Sequence, residues 1–199
     1  MSTVPMDRTA LVVIDMVNEI VHPDGKFAGG GWPAEVERRD VLKATATAVA
    51  AAREAGTHIF HVTLGFTESY RECPAGSPVL GGAAAYGALG LGSWGAAIHD
   101  AVKPEAGDAL VVKHRLSPFH GTSLALQLRG LGIQRLLLAG VSTELAVLSA
   151  ARDAHDLDLQ VTVLEDCCAA GSPEVHAAAL TVLAATAEVT TGAEALPRA

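Results

Sequence analysis

Aromatic side chains make up only 4% of this 199-residue chain. A core of stacked rings is therefore excluded, and the interior must be built from Val, Leu, Ala and Ile. Cysteine is also scarce: the three present, Cys73, Cys167 and Cys168, are an odd number. That count does not make a disulfide framework, and a cytoplasmic protein is the default expectation. Basic residues are outnumbered, with 14 Lys and Arg against 22 Asp and Glu and a formal net charge of -8. No run of Lys or Arg forms a basic stripe, so nucleic acid is not expected as a partner. No stretch reaches the ~20 apolar residues of a membrane helix; the Ala-rich segment 44–52 is short and flanked by charge. No N-terminal segment joins basic residues to a long apolar stretch, so no signal peptide and no membrane association are expected. Metal motifs are missing too. There is no H-E-x-x-H and no C-x-x-C, and His58 and His61, three apart on a strand, point to opposite faces. No metal and no cofactor are expected.

Half of the residues are hydrophobic and 18% are charged, the composition of a globular protein. The length suits one α/β domain over residues 1–199. The apolar run 10–14 is continuous rather than alternating, as in a strand covered on both faces. A Gly- and Pro-rich loop follows over 22–33. The pattern then predicts a helix over 34–55 stopped by Gly56, and a strand over 57–64. Residues 65–95 show no period and hold eight glycines and two prolines; a loop this long is usually functional. Strands are predicted at 110–113, 135–139, 159–164 and 187–190. Helices are predicted at 122–129, 143–155 and 173–185, and a polar tail after Gly192. Strands alternating with helices imply a three-layer α/β fold, a mostly parallel sheet with helices on both faces. Sites in such sheets lie beyond the carboxyl ends of the strands.

That rule singles out Asp15, Lys113 and the turn 140–143. An Asp and a Lys at neighbouring strand ends can pair in a partly dry cleft. The Asp can there exchange a proton with a substrate, while the Lys orients it and tunes its pKa; the same pair can equally be structural. A strand running into a helix presents free backbone N–H groups, which bind anions and lower the pKa of a thiol. A cysteine at position 146 would be well placed for this, but the residue is Ala146, which by itself is a good helix former.

The motifs around these residues are more specific. Val12-Val13-Ile14-Asp15-Met16 resembles the first-strand motif of the isochorismatase-like hydrolases, which carries a catalytic Asp. Lys113 through Thr122 resembles that family's K-x-x-x-S-x-F-x-G-T motif. Gly140-Val141-Ser142-Thr143 through Ala154 resembles its nucleophile motif, with alanine where cysteine is usual, and Val163-Leu164-Glu165-Asp166 resembles the strand that follows. The matches run in order from Ala10 to about His176. The resemblance implies a six-stranded Rossmann-like sheet and a site of Asp15, Lys113 and position 146. It also implies a cis peptide at Val141–Ser142, an oxyanion hole formed there with the N–H of residue 146, and a homo-oligomer, dimer or tetramer. Cysteine members of the family hydrolyse C–N bonds of small amide, ureido and carbamoyl compounds. Cysteine-free members hydrolyse the vinyl ether of isochorismate-type substrates with the Asp as acid. Ala146 is therefore either natural or a replacement for cysteine, and Val17 stands where many members have glutamine.

Three functions follow for a small-molecule site. The first is a C–N hydrolase of Asp-Lys-Cys type with the Cys position occupied by Ala146, an inactive variant or a natural departure. The second is a cysteine-free vinyl ether hydrolase, and the third a non-catalytic binding relative. Phe119 and Trp94 are expected to line the substrate pocket. The loops 22–33 and 65–95 are expected to set specificity. Gly90-x-Gly92-x-x-Gly95 matches a dinucleotide fingerprint by letter but follows no strand and reads as loop. Cys167 and Cys168 are read as small core or loop residues. Cys73 in the long loop is the remaining candidate for a substitute nucleophile.

Overall fold

A computed structural model describes residues 4–196. Six strands, β1 (Thr9–Ile14), β2 (His58–Leu64), β3 (Ala109–Lys113), β4 (Arg135–Val141), β5 (Gln160–Ala169) and β6 (Glu188–Thr190), form one sheet. The order is β3-β2-β1-β4-β5-β6 and every neighbouring pair is parallel. Eight helices accompany them: α1 (Asn18–Val21), α2 (Trp32–Arg38), α3 (Val41–Glu54), α4 (Ala83–Tyr86), α5 (Leu124–Gly130), α6 (Leu148–Asp156), α7 (Pro173–Leu183) and α8 (Gly192–Ala195). Among the described residues no helix is long and apolar enough to cross a membrane.

The continuous apolar run of β1 has the expected cause. Leu11 and Val13 pack on one face with Val41, Ala48, Val49 and Ala52 of α3. Ala10, Val12 and Ile14 pack on the other with Leu124 and Leu128 of α5 and Val147, Ala150 and Ala154 next to or within α6. Every β1 residue is buried, and full burial of a Leu or Val side chain is worth about 2 kcal/mol. Helices thus cover both faces, and the strand order reverses direction between β1 and β4. A crevice opens at such a reversal, beyond the carboxyl ends of the two strands.

Three local expectations are corrected. The helix predicted over 34–55 is two helices, broken at Arg39 and Asp40. Arg39 turns its guanidinium onto β5, donating to the Glu165 carboxylate at 2.6 Å and to the Glu165 and Cys168 carbonyls at 2.8 and 3.2 Å. Asp40 takes up the turn in the left-handed region (φ 53), which Asp tolerates better than most residues. Second, β5 does not end at residue 164 but continues to Ala169, bulging where Leu138 pairs Val163 and Gly140 pairs Cys168. Cys167 and Cys168 are therefore buried strand residues. Third, the polar tail forms α8, with a capping box between Thr191 and Glu194.

Candidate active site

β1 ends one residue before Asp15, whose backbone lies in the left-handed region (φ 56) while its N–H donates to the Val62 carbonyl at 2.8 Å. On the next strand, Gly140 sits where a Cβ would meet the Ile14 carbonyl oxygen at 2.5 Å and the Ile14 Cβ at 2.8 Å. Only glycine lets the two strand ends approach this closely. β4 then leads through a cis Val141–Ser142 peptide into a wide turn, Thr143–Val147, in which the Val147 N–H donates to the Ser142 carbonyl at 3.1 Å. Such i+5 turns at the head of a helix are often found at functional sites.

Lys113 reaches the same place from β3, two strands away. Its ammonium lies 2.7 Å from Asp15 Oδ2 and donates to the Arg115 and Leu116 carbonyls, each at 3.0 Å. Both side chains are almost fully buried, 0% exposed for Lys113 and 4% for Asp15. The three N–H donors of the ammonium are therefore all engaged. Asp15 Oδ1, in contrast, has no hydrogen-bond partner among the described residues. Burial pushes the Asp15 carboxyl above the ordinary aspartate value, while the Lys113 charge, its hydrogen bond and the Leu64 backbone pull the other way.

The K-x-x-x-S-x-F-x-G-T letters have structural roles here. Ser117 donates to Asp153 of α6 and receives the Phe119 N–H at 3.1 Å. Thr122 donates to the Pro118 carbonyl at 2.5 Å, and Gly121 is left-handed (φ 69). This ties the segment after Lys113 against α6 and brings the carbonyls that hold the ammonium into position.

Asp15, Ser142 and Ala146 face one pocket of about 410 Å³ including its open mouth. The remaining wall is apolar, from Ile20, Phe27, Trp32, Leu64 and Val141 to Leu116 and Leu145, with Val79, Leu80 and Leu89 supplied by the 65–95 segment. Phe119 and Trp94 are placed away from it. Phe119 packs in the layer between sheet and α6, because its N–H is held by Ser117. Trp94 is 52% exposed with its ring edge-on to His22 at 5.2 Å. The aromatic rings on the wall are instead Phe27 and Trp32, from the 22–33 loop and the start of α2. Val17, at the position noted above for glutamine, is fully buried, and its backbone forms an antiparallel bridge with Ile98.

Two residues that sequence reasoning missed shape this wall. Buried Glu19 accepts the Lys26 N–H at 3.0 Å and the Leu89 N–H at 2.9 Å, and Asn18 donates to the Trp94 carbonyl at 2.9 Å. They clamp the 22–33 and 65–95 loops onto α1. The Gly-rich signature at 90–95 serves this clamp, since a Cβ on Gly95 would lie 2.1 Å from Glu19 Oε2. No sequence pattern marks Glu19, because its partners are distant backbone amides.

None of the three cysteines lines this pocket. Cys73 donates to the Leu80 carbonyl at 3.2 Å, and burial raises both Cys167 and Cys168, the latter to about 12. His61 faces Asp108 at 3.4 Å, and among the described residues no group of three or more His, Cys, Asp or Glu is placed to hold a metal.

A family model described as Isochorismatase domain matches residues 9–194. The chain belongs to the isochorismatase family. Solved structures agree. An isochorismatase family protein from Desulfovibrio vulgaris subsp. vulgaris str. Hildenborough is 26% identical, with TM-score 0.84 over 94% of this chain and 96% of that one. An N-carbamoylsarcosine amidase from Thermoplasma acidophilum is 27% identical, with TM-score 0.73 over 92% and 96% of the two chains. A pyrazinamidase/nicotinamidase from Streptococcus mutans UA159 is 28% identical, with TM-score 0.75 over 91% and 99%. This isochorismatase-family chain is thus similar along nearly its whole length to these proteins, two of which are named as amidases.

Proposed function

We propose that this chain is a hydrolase that works by proton transfer from Asp15, with no covalent intermediate, on a small enol (vinyl) ether. The observation that carries the reading is the asymmetry of Asp15: Oδ2 is held by Lys113, while Oδ1 is buried, unpartnered and part of a pocket in which position 146 offers only a methyl group. A carboxyl raised by burial holds a proton closer to neutral pH, where an efficient general acid works. Protonated Asp15 gives its proton to the β-carbon of the enol ether, leaving an oxocarbenium ion. Lys113 stabilises the carboxylate that results. A water adds to the cation and returns its proton to Asp15. The hemiketal then collapses to a ketone and an alcohol, so atoms and charge balance.

A second reading is favoured by one feature: the Ala146 side chain lines the same pocket as Asp15, so a thiol there would make the Asp-Lys-Cys site of a C–N hydrolase. The two are separated by a panel of small enol ethers and small amides, each with neutral and carboxylated members, followed for ketone and for ammonia. Ketone release above the buffer rate, reduced about a hundredfold or more by Asp15→Asn, is expected for loss of a general acid. Ammonia release from an amide by the Ala146 chain, or full activity of Asp15→Asn on the enol ether, refutes the proposal. The absence of any turnover across the panel favours the binding-only reading.

A further inference from the structure

We infer that the pocket takes an uncharged substrate: an enol ether whose reacting double bond lies at the Asp15 end, on a small apolar body with no carboxylate or phosphate. The choice of reacting end rests on the reading of Asp15 given above; the exclusion of charge rests on the wall alone.

Every wall residue other than Asp15 and Ser142 is apolar or aromatic, and none is Lys, Arg or His. A ligand anion there would need a cation from behind or beside the wall, and Lys113, Arg115 and Lys26, behind Asp15 or next in sequence to wall residues, already hold other partners. Lys113 sits behind Asp15 with its three donors spent on Asp15 and on the Arg115 and Leu116 carbonyls. Arg115 precedes the wall residue Leu116, yet its guanidinium donates to the Glu72 and His114 carbonyls, both at 2.7 Å. Lys26 precedes the wall residue Phe27, yet its ammonium donates to the Gly87 carbonyl at 2.7 Å. Even the Trp32 indole N–H, the one polar group of an otherwise apolar ring on the wall, is taken by Glu144 Oε1 at 3.1 Å. A substrate carboxylate would lose its water with no cationic side chain in the wall to pair with, and would repel Asp15 whenever that group is ionised. An alicyclic or aromatic body suits the wall. The apolar surface removed from water supplies the binding energy, and discrimination comes from the penalty on charge.

Binding is measured first with ligands that cannot react: methoxycyclohexane and its ring-carboxylated counterpart, titrated into the wild-type chain by ligand-observed NMR. The neutral ether should bind at least about tenfold more tightly, the size expected when one partner must bury an unpaired charge. The variant Val79→Arg, at a half-buried position on the loop side of the wall, should gain affinity for the carboxylate and narrow or reverse that ratio. Equal or tighter binding of the carboxylate by the wild-type chain overturns the inference, as does failure of the neutral ether to bind at all. The wild-type ratio decides the matter even where Val79→Arg does not fold. Turnover is scored separately with the methyl enol ether of cyclohexanone. Preferred binding of the neutral ligand without ketone release removes the proton-transfer reading and leaves the substrate class standing. Ketone release together with preferred binding of the carboxylate does the reverse.

Discussion

Replacing Lys113 with Met tests the electrostatics on which the site depends. Met keeps an unbranched apolar stem but removes the charge and three donors. Two carbonyls, those of Arg115 and Leu116, lose the hydrogen bonds they accept at 3.0 Å. Leaving a buried acceptor unmade costs about 1–3 kcal/mol each, so about 2–6 kcal/mol is lost at every pH. The second effect depends on pH. Asp15 is raised by burial against the pull of Lys113, and without Lys113 it must rise further. The folded state then keeps a proton that the unfolded chain has already released. Between the ordinary aspartate value and the raised folded value, the folded state holds one extra proton, and stability falls by up to ~1.4 kcal/mol per pH unit as pH increases. Above the folded value it is flat. The parent chain has the same slope, but it ends at a lower pH because Lys113 limits the rise. The stability gap between parent and Lys113→Met should therefore widen with pH, by up to ~3 kcal/mol over two units. Urea unfolding followed by circular dichroism across mildly acid to neutral pH measures it, provided the slope m is unchanged. Adding Asp15→Asn to Lys113→Met should abolish the widening. A gap of constant size across that range would refute the claim that burial controls the Asp15 carboxyl.

Ala146→Cys should create a thiol that labels rapidly with iodoacetamide at neutral pH, because helix-end N–H groups and Lys113 both favour the thiolate. Intact-mass labelling against the parent's three cysteines reads it. The rate should fall when Asp15→Asn is added, and a thiol labelling no faster than an ordinary exposed one would show that the turn is not a nucleophile site. Glu19→Ala should release the 22–33 and 65–95 loops: two backbone N–H groups lose their acceptor, at about 1–3 kcal/mol each. Limited proteolysis should then cut within residues 65–95 before the sheet unfolds, and an unchanged cleavage pattern would count against the clamp.

Much of the fold could be read along the chain because local rules and tertiary packing agree. The apolar run at 10–14 predicts a strand covered on both faces, and β1 is one. The helix at 34–55 could not be divided correctly, because nothing local distinguishes Arg39 from a surface arginine. Its partners are the Glu165 carboxylate and carbonyl and the Cys168 carbonyl, more than a hundred residues away. The extension of β5 was hidden for the same reason: residues after 164 pair only because a bulge returns them to β4.

Asp15 and Lys113 were recognisable as strand-end residues of opposite charge, and the motif order placed Ala146 beside them, since parallel strands deliver their carboxyl ends to one edge whatever the packing. The chemical identity of position 146 is likewise a matter of covalent sequence, and no fold can supply the thiol it lacks. The pocket wall was decided elsewhere. Phe119 and Trp94 were chosen for residue type and position in the chain, yet one packs under α6 and the other lies half exposed beside His22. Phe27 and Trp32 took those places, and Glu19 holds the loops through backbone amides that leave no trace in side-chain pattern. Periodicity and motif report contacts close along the chain or repeated by the geometry of a strand or helix. A wall assembled from several loops depends on distances between segments, and those exist only once the chain has folded.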